Sequence, residues 1–164
     1  MMKHLSWIVA AFVATSAPAG ADGPMTGCFE RVYSDAHLAG QPAQIVKRLL
    51  LDIYQPEGGA KVAEMLVTTA NQGHVAITGH GGQNFRQFLI CWSQGERDVC
   101  AVECDAGQME ITKQDDKGLT FRTETLWVGG TQDCGGAVNI IEKPGKSVSY
   151  RLNRVSLAIC DGAF

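Results

Sequence analysis

No cluster of lysine and arginine residues occurs anywhere in this sequence of 164 residues, whose formal net charge is −3. Nucleic acids and anionic membranes recognise basic patches, so neither is an expected partner. After residue 21 no apolar run approaches the roughly 20 residues that span a bilayer, and the sequence predicts no transmembrane segment. Fixed-period repeats and low-complexity tracts are missing as well. With 45% apolar and 19% charged residues, the composition is that of a globular protein.

The signatures of common catalytic machinery are equally scarce. The chain has no Gly-x-Ser-x-Gly nucleophile elbow, and its glycine-rich loop at 129–136 lacks the lysine and the following helix of a phosphate-binding loop. Asp115-Asp116 is interpreted as a turn rather than as an acid–base pair. The sequence therefore favours a protein that is not an enzyme, and it predicts no cofactor.

The first 21 residues combine the three regions of a secretory signal peptide. Lys3 supplies a positive charge, the segment from Leu5 to Ala14 is almost wholly apolar, and Ala19-Gly20-Ala21 provides the small residues that a signal peptidase accepts. The alternative, an ordinary N-terminal helix, does not explain the order of these regions. Cleavage after Ala21 would leave residues 22–164 as a single β-rich domain, located in the periplasm or secreted.

A second route of export starts from Met25-Thr26-Gly27-Cys28, which resembles a lipoprotein cleavage box with Cys28 as the acylated residue. Residues 22–24 separate this box from the apolar run, and acylation would leave an odd number of cysteines. Free export is therefore preferred, with lipidation of Cys28 as the alternative.

Six cysteines follow the predicted cleavage site, and an even number in an exported chain indicates disulfides, because the compartment is oxidising. They are Cys28, Cys91, Cys100, Cys104, Cys134 and Cys160. Position favours Cys28 with Cys160, near the two ends of the mature chain, and Cys91 with Cys100, on either side of a polar hairpin loop. Cys104 and Cys134 would form the third pair. No Cys-x-x-Cys spacing of a zinc or redox site occurs, so structural bridges are preferred.

Short segments with alternating or dense apolar residues recur along the chain. Turn residues such as Pro56-Glu57-Gly58-Gly59 and Asp115-Asp116-Lys117-Gly118 separate them. About eight to ten of these segments are interpreted as β-strands, which predicts an all-β fold. We expect a small β-barrel stapled by disulfides, with a β-sandwich as the alternative.

Local patterns give more specific expectations. Residues 75–77 and 155–160 are expected to form short strands. A short helix is predicted after Ser34, which would cap it, and should end before Gly40. The strand from Leu119 to Val128 is expected to place on one face Leu119, Phe121, Thr123, Thr125 and Trp127.

Candidate binding residues are few. Arg151 and Arg154 stand beside Tyr150, and their guanidinium groups suit a ligand carboxylate; the alternative is a solvated strand face. Trp92 and Trp127 are candidates for the mouth of a barrel, with packing in the core as the alternative.

His74 and His80 flank a short apolar segment. On one strand they would point to the same face, as paired metal ligands do, and the alternative is two histidines at surface turns. His37 lies close to Ser34 and Asp35, where helix capping is preferred over a catalytic triad.

Three classes of function remain. The preferred one is an exported binding or inhibitor module without catalytic activity, whose partner is an unknown protein or small molecule. It rests on a rigid disulfide frame and on glycine-rich loops suited to recognition. The second class is a small metal-binding protein or hydrolase that uses His74, His80 or His37. The third is a structural or assembly factor of the cell envelope.

Overall fold

The computed structural model describes residues 24–130 and 136–164, and this part of the chain forms nine β-strands and three short helices. The strands are β1 (Gly27–Val32), β2 (Val46–Tyr54), β3 (Val62–Thr69), β4 (Asn84–Gln94), β5 (Arg97–Ala101), β6 (Gly107–Asp115), β7 (Gly118–Gly130), β8 (Gly136–Asn139) and β9 (Val148–Val155). The helices are α1 (Asp35–Gly40), α2 (Gly73–Ile77) and α3 (Leu157–Asp161). None of the described helices is long and apolar enough to cross a membrane.

Eight of the strands close an antiparallel barrel. β1 to β7 pair consecutively, each strand with the next, and β9 completes the ring by pairing with both β1 and the first half of β7. β8 adds a ninth strand along the second half of β7. The predicted all-β barrel is confirmed, and the sandwich alternative is wrong.

Side chains fill the interior of the barrel. Along β2, Leu49, Leu51 and Ile53 point inward and are fully buried, as the alternation in the sequence predicts. Tyr150 of β9 is also buried there, and its hydroxyl donates a hydrogen bond to the carbonyl of Ile140 at 2.8 Å. An eight-stranded barrel is just wide enough to be filled in this way. The interior is therefore a packed core.

Both ends of the barrel are covered. α2 buries Val75 in the core at the end where β3 finishes. Gln72 ties this end together, because its side-chain amide donates to the carbonyls of Gln41 and Gln44 at 2.7 Å each. At the opposite end Pro24 is buried and Met25 packs against the core. In the described part of the chain, the surface open to a partner is therefore the outer one.

Two of the predicted disulfides are confirmed. Cys28 of β1 is bonded to Cys160 of α3, and Cys91 of β4 is bonded to its ladder partner, Cys100 of β5. The third predicted pair involves Cys134, which lies outside the described residues, and it stays a prediction. Because the sulfur of Cys28 is engaged in a disulfide, lipidation of this residue does not fit the structure. Two disulfides are typical of proteins from an oxidising compartment.

The predicted face of β7 is correct only for the first half of the strand. Its alternation holds up to Thr123, but Leu126 then takes the buried side, and Thr125 and Trp127, expected on that face, point outward. One extra residue of β7 stands opposite β6 at this point. The Thr123 hydroxyl stabilises this bulge by donating to the carbonyl of Gln108 at 2.7 Å. A single inserted residue reverses the facing of every later side chain in the strand.

Two segments that were expected to be strands are helical. Residues 75–77 belong to α2, and most of the segment 155–160 belongs to α3. Such short apolar runs contain no period that separates a strand from a helix. The helix predicted after Ser34 is confirmed as α1, and the Ser34 hydroxyl accepts a hydrogen bond from the amide of His37.

Candidate functional site

A groove of about 940 Å³ lies on the outside of the barrel, between α3 and the strands that it crosses. Asp52 of β2 and Glu64 of β3 line it from the sheet, and Leu157 and Asp161 line it from α3. Phe164 forms part of the wall beyond the helix. We call this surface the outer groove.

A disulfide and a small apolar cluster hold α3 in place. Cys160 of α3 is bonded to Cys28 of β1, and both pack with Leu50, which points outward from β2 and is nevertheless fully buried. Val155 and Phe164 pack against the same cluster. The groove wall is therefore fixed covalently and by apolar burial, which reduces the ordering cost of binding.

Three carboxylates meet in the outer groove. Asp52 and Glu64 stand directly opposite each other in the ladder between β2 and β3, an arrangement that is unfavourable for like charges. Burial, reinforced by the charges of Asp161 and Glu64, raises the pKa of Asp52. Tyr54 donates its hydroxyl hydrogen bond to Glu64 at 2.7 Å, and this bond raises the pKa of Tyr54.

The carboxylates of the outer groove form no ion pairs among the described residues. Within the described residues, no ion pair or side-chain hydrogen bond involves Asp52 or Asp161. Arg154 also lines the groove, but its guanidinium donates to the carbonyl of Thr26 at 3.2 Å and lies 4.9 Å from the centroid of the Phe29 ring. The groove therefore presents three unpaired carboxylates and the guanidinium of Arg154 beside apolar surface.

A second groove, of about 400 Å³, continues from the first, because Glu64 and Phe164 line both. Arg86 of β4 donates to the carbonyl of Ala163 at 2.6 Å and lies over the Phe164 ring. Phe88 of β4 is 46% exposed beside it. An extended segment leaving the outer groove in this direction would thus meet the rings of Phe88 and Phe164 beside the guanidinium of Arg86.

The four residues predicted to bind a ligand do not lie together. Arg154 lines the outer groove, whereas Arg151 donates to the carboxylate of Asp115 at 3.3 Å. Trp92 and Trp127 lie on the outer face of β4 and β7, two strands that do not pair, and are 40% and 38% exposed. Both tryptophans thus point outward from the barrel wall and are not packed in the core. A binding role for the four stays a prediction.

His74 and His80 do not share a strand, so the condition under which they would point to the same face is not met. His74 lies in α2, where its Nε2 contacts the carbonyl oxygen of Asn139 at 3.1 Å. His80 follows that helix and contacts the Thr78 hydroxyl through Nδ1 at 3.2 Å. His37 contacts the side-chain oxygen of Gln44 at 2.9 Å. Across residues 24–130 and 136–164, no group of three or more His, Cys, Asp or Glu side chains is arranged to hold a metal ion.

Of the groove residues, Arg154 was predicted as a binding residue, whereas the three carboxylates were not singled out by the sequence patterns. Asp52 and Glu64 interrupt two strongly apolar strands, and this interruption is the signal that could have marked them. Their meeting with Asp161 depends on α3 folding back over the barrel, a segment whose pattern predicts a strand.

Comparison of the chain with protein-family models, with curated proteins and with solved structures finds no match. The outer groove is therefore interpreted from its own shape and chemistry. Its features are a fixed wall, the apolar side chains of Leu157 and Phe164, and three carboxylates.

Proposed function

We propose that this protein is an exported, non-catalytic binding domain whose outer groove holds a cationic and apolar segment of a protein partner. The observation that supports this most directly is the meeting of Asp52, Glu64 and Asp161 in one groove. A lysine or arginine of the partner would relieve their mutual repulsion. Its alkyl stem, or a neighbouring apolar side chain, would contact Leu157 and Phe164.

The construction of the barrel supports a role in binding. Its filled interior offers space only for packing, whereas the outer groove is concave and held by the Cys28–Cys160 disulfide. A surface fixed in this way loses little conformational entropy when a partner binds. The two disulfides fit an oxidising compartment, and with the predicted signal peptide they favour the periplasm or the cell exterior.

Nuclear magnetic resonance titration tests the groove. We would titrate the labelled mature protein with a short peptide of alternating lysine and leucine, and separately with one of alternating glutamate and leucine. The cationic peptide should shift the amide signals of Asp52, Glu64 and Asp161, and it should bind more weakly as salt is added. Equal shifts with both peptides, or shifts elsewhere on the barrel only, would contradict the proposal.

A pair of charge variants distinguishes binding by the groove carboxylates from attraction by the net charge of the protein. Asp161→Asn removes one groove carboxylate and should weaken binding of the cationic peptide about fivefold. Glu57→Gln removes the same charge from the exposed turn between β2 and β3 and should leave the affinity unchanged. Equal weakening by the two variants would indicate a general charge effect.

Export is tested on the protein purified from its own envelope by native mass spectrometry, with and without reduction. We expect a chain that begins at Asp22 and gains six hydrogens on reduction, as three disulfides require. A retained leader or a lipid on Cys28 would contradict this part of the proposal, whatever the outcome of the titration.

A further inference from the structure

Outward side chains of three neighbouring strands form one row across the wall of the barrel. Asp52 of β2 lies opposite Glu64 of β3 in the ladder, and Glu64 lies opposite Phe88 of β4. In each strand the residue that follows is fully buried in the core, so these three side chains stand on the outer surface. The row therefore runs from the outer groove, which Asp52 and Glu64 line, into the second groove, which Glu64 and Phe88 line.

The two grooves differ in their balance of charge. Three side-chain carboxylates and one guanidinium, that of Arg154, line the outer groove, whereas one carboxylate and one guanidinium, that of Arg86, line the second groove. The Arg86 guanidinium lies 5.8 Å from the centroid of the Phe164 ring, and Phe88 is exposed beside it. A cationic side chain is thus favoured more in the outer groove, while an aromatic ring suits the phenylalanines and the guanidinium of the second groove.

The distance along the row fits the side-chain repeat of an extended peptide. Neighbouring strands lie about 4.8 Å apart, so Phe88 is about 7 Å from the midpoint between Asp52 and Glu64. In an extended segment residues i and i+2 point to the same side and are also about 7 Å apart, whereas residue i+1 points to the opposite side. A segment that lies along the row would therefore present residues i and i+2 to the two grooves.

We propose that the two grooves bind one extended segment of the partner, with a lysine or arginine in the outer groove and an aromatic residue two positions away in the second groove. This inference rests on the proposed function and adds a specificity to it. Glu64 lines both grooves, and the Tyr54 hydroxyl holds its carboxylate by donating to one oxygen at 2.7 Å. The residue between the cation and the ring points away from the barrel, so its substitution should change the affinity little.

Three peptides of identical composition test the spacing in nuclear magnetic resonance titrations of the labelled mature protein. The first, Ser-Lys-Ser-Phe-Ser-Ser, separates lysine and phenylalanine by one residue. The second, Ser-Lys-Phe-Ser-Ser-Ser, makes them adjacent, and the third, Ser-Lys-Ser-Ser-Phe-Ser, separates them by two residues. We expect the first peptide to bind about fivefold more tightly than the other two and to shift the amide signals of both Glu64 and Phe88.

Substitutions in the protein test where the ring binds. Phe88→Ser removes an aromatic ring that is 46% exposed and should weaken binding of the first peptide about fivefold, to the affinity of the other two. Val32→Ser is the matched control, because it removes an exposed apolar side chain of β1 outside both grooves, and it should leave all three affinities unchanged. Asp161→Asn should weaken binding of the three peptides alike, since it acts on the cation.

Equal affinities of the three peptides would overturn the spacing while leaving the proposed function in place. An advantage of the first peptide that survives in Phe88→Ser would do the same. The alternating lysine–leucine peptide tests the proposed function separately, because each of its sides repeats a single residue type and offers no cation with a ring two positions away. Failure of that peptide to shift the signals of the outer groove would contradict the proposed function, and this inference with it.

Two other occupants of the grooves are outcomes of the same titrations. Phenethylamine, which has an ammonium group and a ring but no peptide backbone, should bind more weakly than the first peptide. Tighter binding of phenethylamine would assign the grooves to a small molecule. Broadening of the Phe88 signal with protein concentration, in the absence of peptide, would assign the surface to a second copy of the chain. Either result would overturn the proposal.

Discussion

Gly107 stands at the start of β6, where β7 approaches too closely for a side chain. A Cβ atom there would overlap the carbonyl oxygen of Thr125, and the φ of +102° is unfavourable for other residues. Backbone atoms cannot move aside as a flexible side chain can. We expect Gly107→Ala to lower the free energy of unfolding in urea by about 3 kcal/mol.

Gly40→Ala is the control, because nothing lies within 4 Å of its Cβ position and its φ is not in the glycine-favoured range. It should change the free energy of unfolding by less than about 0.5 kcal/mol. Similar effects of the two substitutions would show that contact with β7 is not what requires glycine at position 107.

Asp52 gives the fold a dependence on pH. Burial, with the charges of Asp161 and Glu64, raises its pKa in the folded protein above the ordinary value of 3.8. Between these two pKa values the folded state binds more protons than the unfolded state, so this group lowers stability as pH rises through that window. Asp52→Asn should therefore stabilise the protein at neutral pH, by less than about 1 kcal/mol because the site is partly solvated.

Urea unfolding at a series of pH values between 3 and 8 measures this effect. The gain in the free energy of unfolding from Asp52→Asn should appear at pH values above the ordinary pKa of an aspartate and vanish at pH values below it. Glu57→Gln, in an exposed turn, should give no comparable gain. A loss of stability at neutral pH in Asp52→Asn would contradict the unfavourable interaction of the groove carboxylates.

Gln72 fastens α1, the start of β2 and α2 into one cap on the barrel. Its amide nitrogen lies within hydrogen-bonding distance of the carbonyls of Leu38, Gln41 and Gln44. Gln72→Ala leaves these carbonyls without that donor and should lower the free energy of unfolding by about 2 kcal/mol. Amide hydrogen exchange should accelerate in α1 and α2. Gln55→Ala is the control, because it removes one long, exposed hydrogen bond to the carbonyl of Gly59 and should hardly change the free energy of unfolding. Equal losses of stability in the two variants would contradict the role of Gln72 in joining the cap.

Much of the barrel could be predicted from the period of its strands, and the exceptions have local causes. β2 follows its predicted alternation because each inward side chain from Leu49 to Ile53 meets the core. β7 departs from it because the bulge at Thr123 depends on the carbonyl of Gln108 in a neighbouring strand. α2 was predicted as a strand because three apolar residues carry no period, and Val75 is buried equally well from a helix.

The outer groove could not be predicted in the same way. Leu50 looks like an exposed residue of an alternating strand, and its burial depends on α3, whose position is set by a disulfide between residues far apart in the sequence. The positions of Cys28 and Cys160 in the sequence predict that they pair, but they do not predict that α3 lies over Asp52. Carboxylates on an outward face have the same pattern whether they meet solvent or a partner.

The two described disulfides constrain very different lengths of chain. Cys28 and Cys160 are 132 residues apart, whereas Cys91 and Cys100 are nine residues apart within one hairpin. In the chain-entropy description the long loop restricts the unfolded state by about 5 kcal/mol and the short one by about 3 kcal/mol. The first bond also holds α3, and thus the wall of the outer groove, against the barrel.

We expect the double variant Cys28→Ser/Cys160→Ser to lose about 2 kcal/mol more stability in urea than Cys91→Ser/Cys100→Ser, because it frees the longer loop. Binding of the lysine–leucine peptide should also weaken in the first variant and persist in the second, at temperatures where both are folded. Stability changes of equal size would contradict the role assigned to loop length. Persistent binding in the first variant would instead show that the cluster around Leu50 positions α3 without its covalent link.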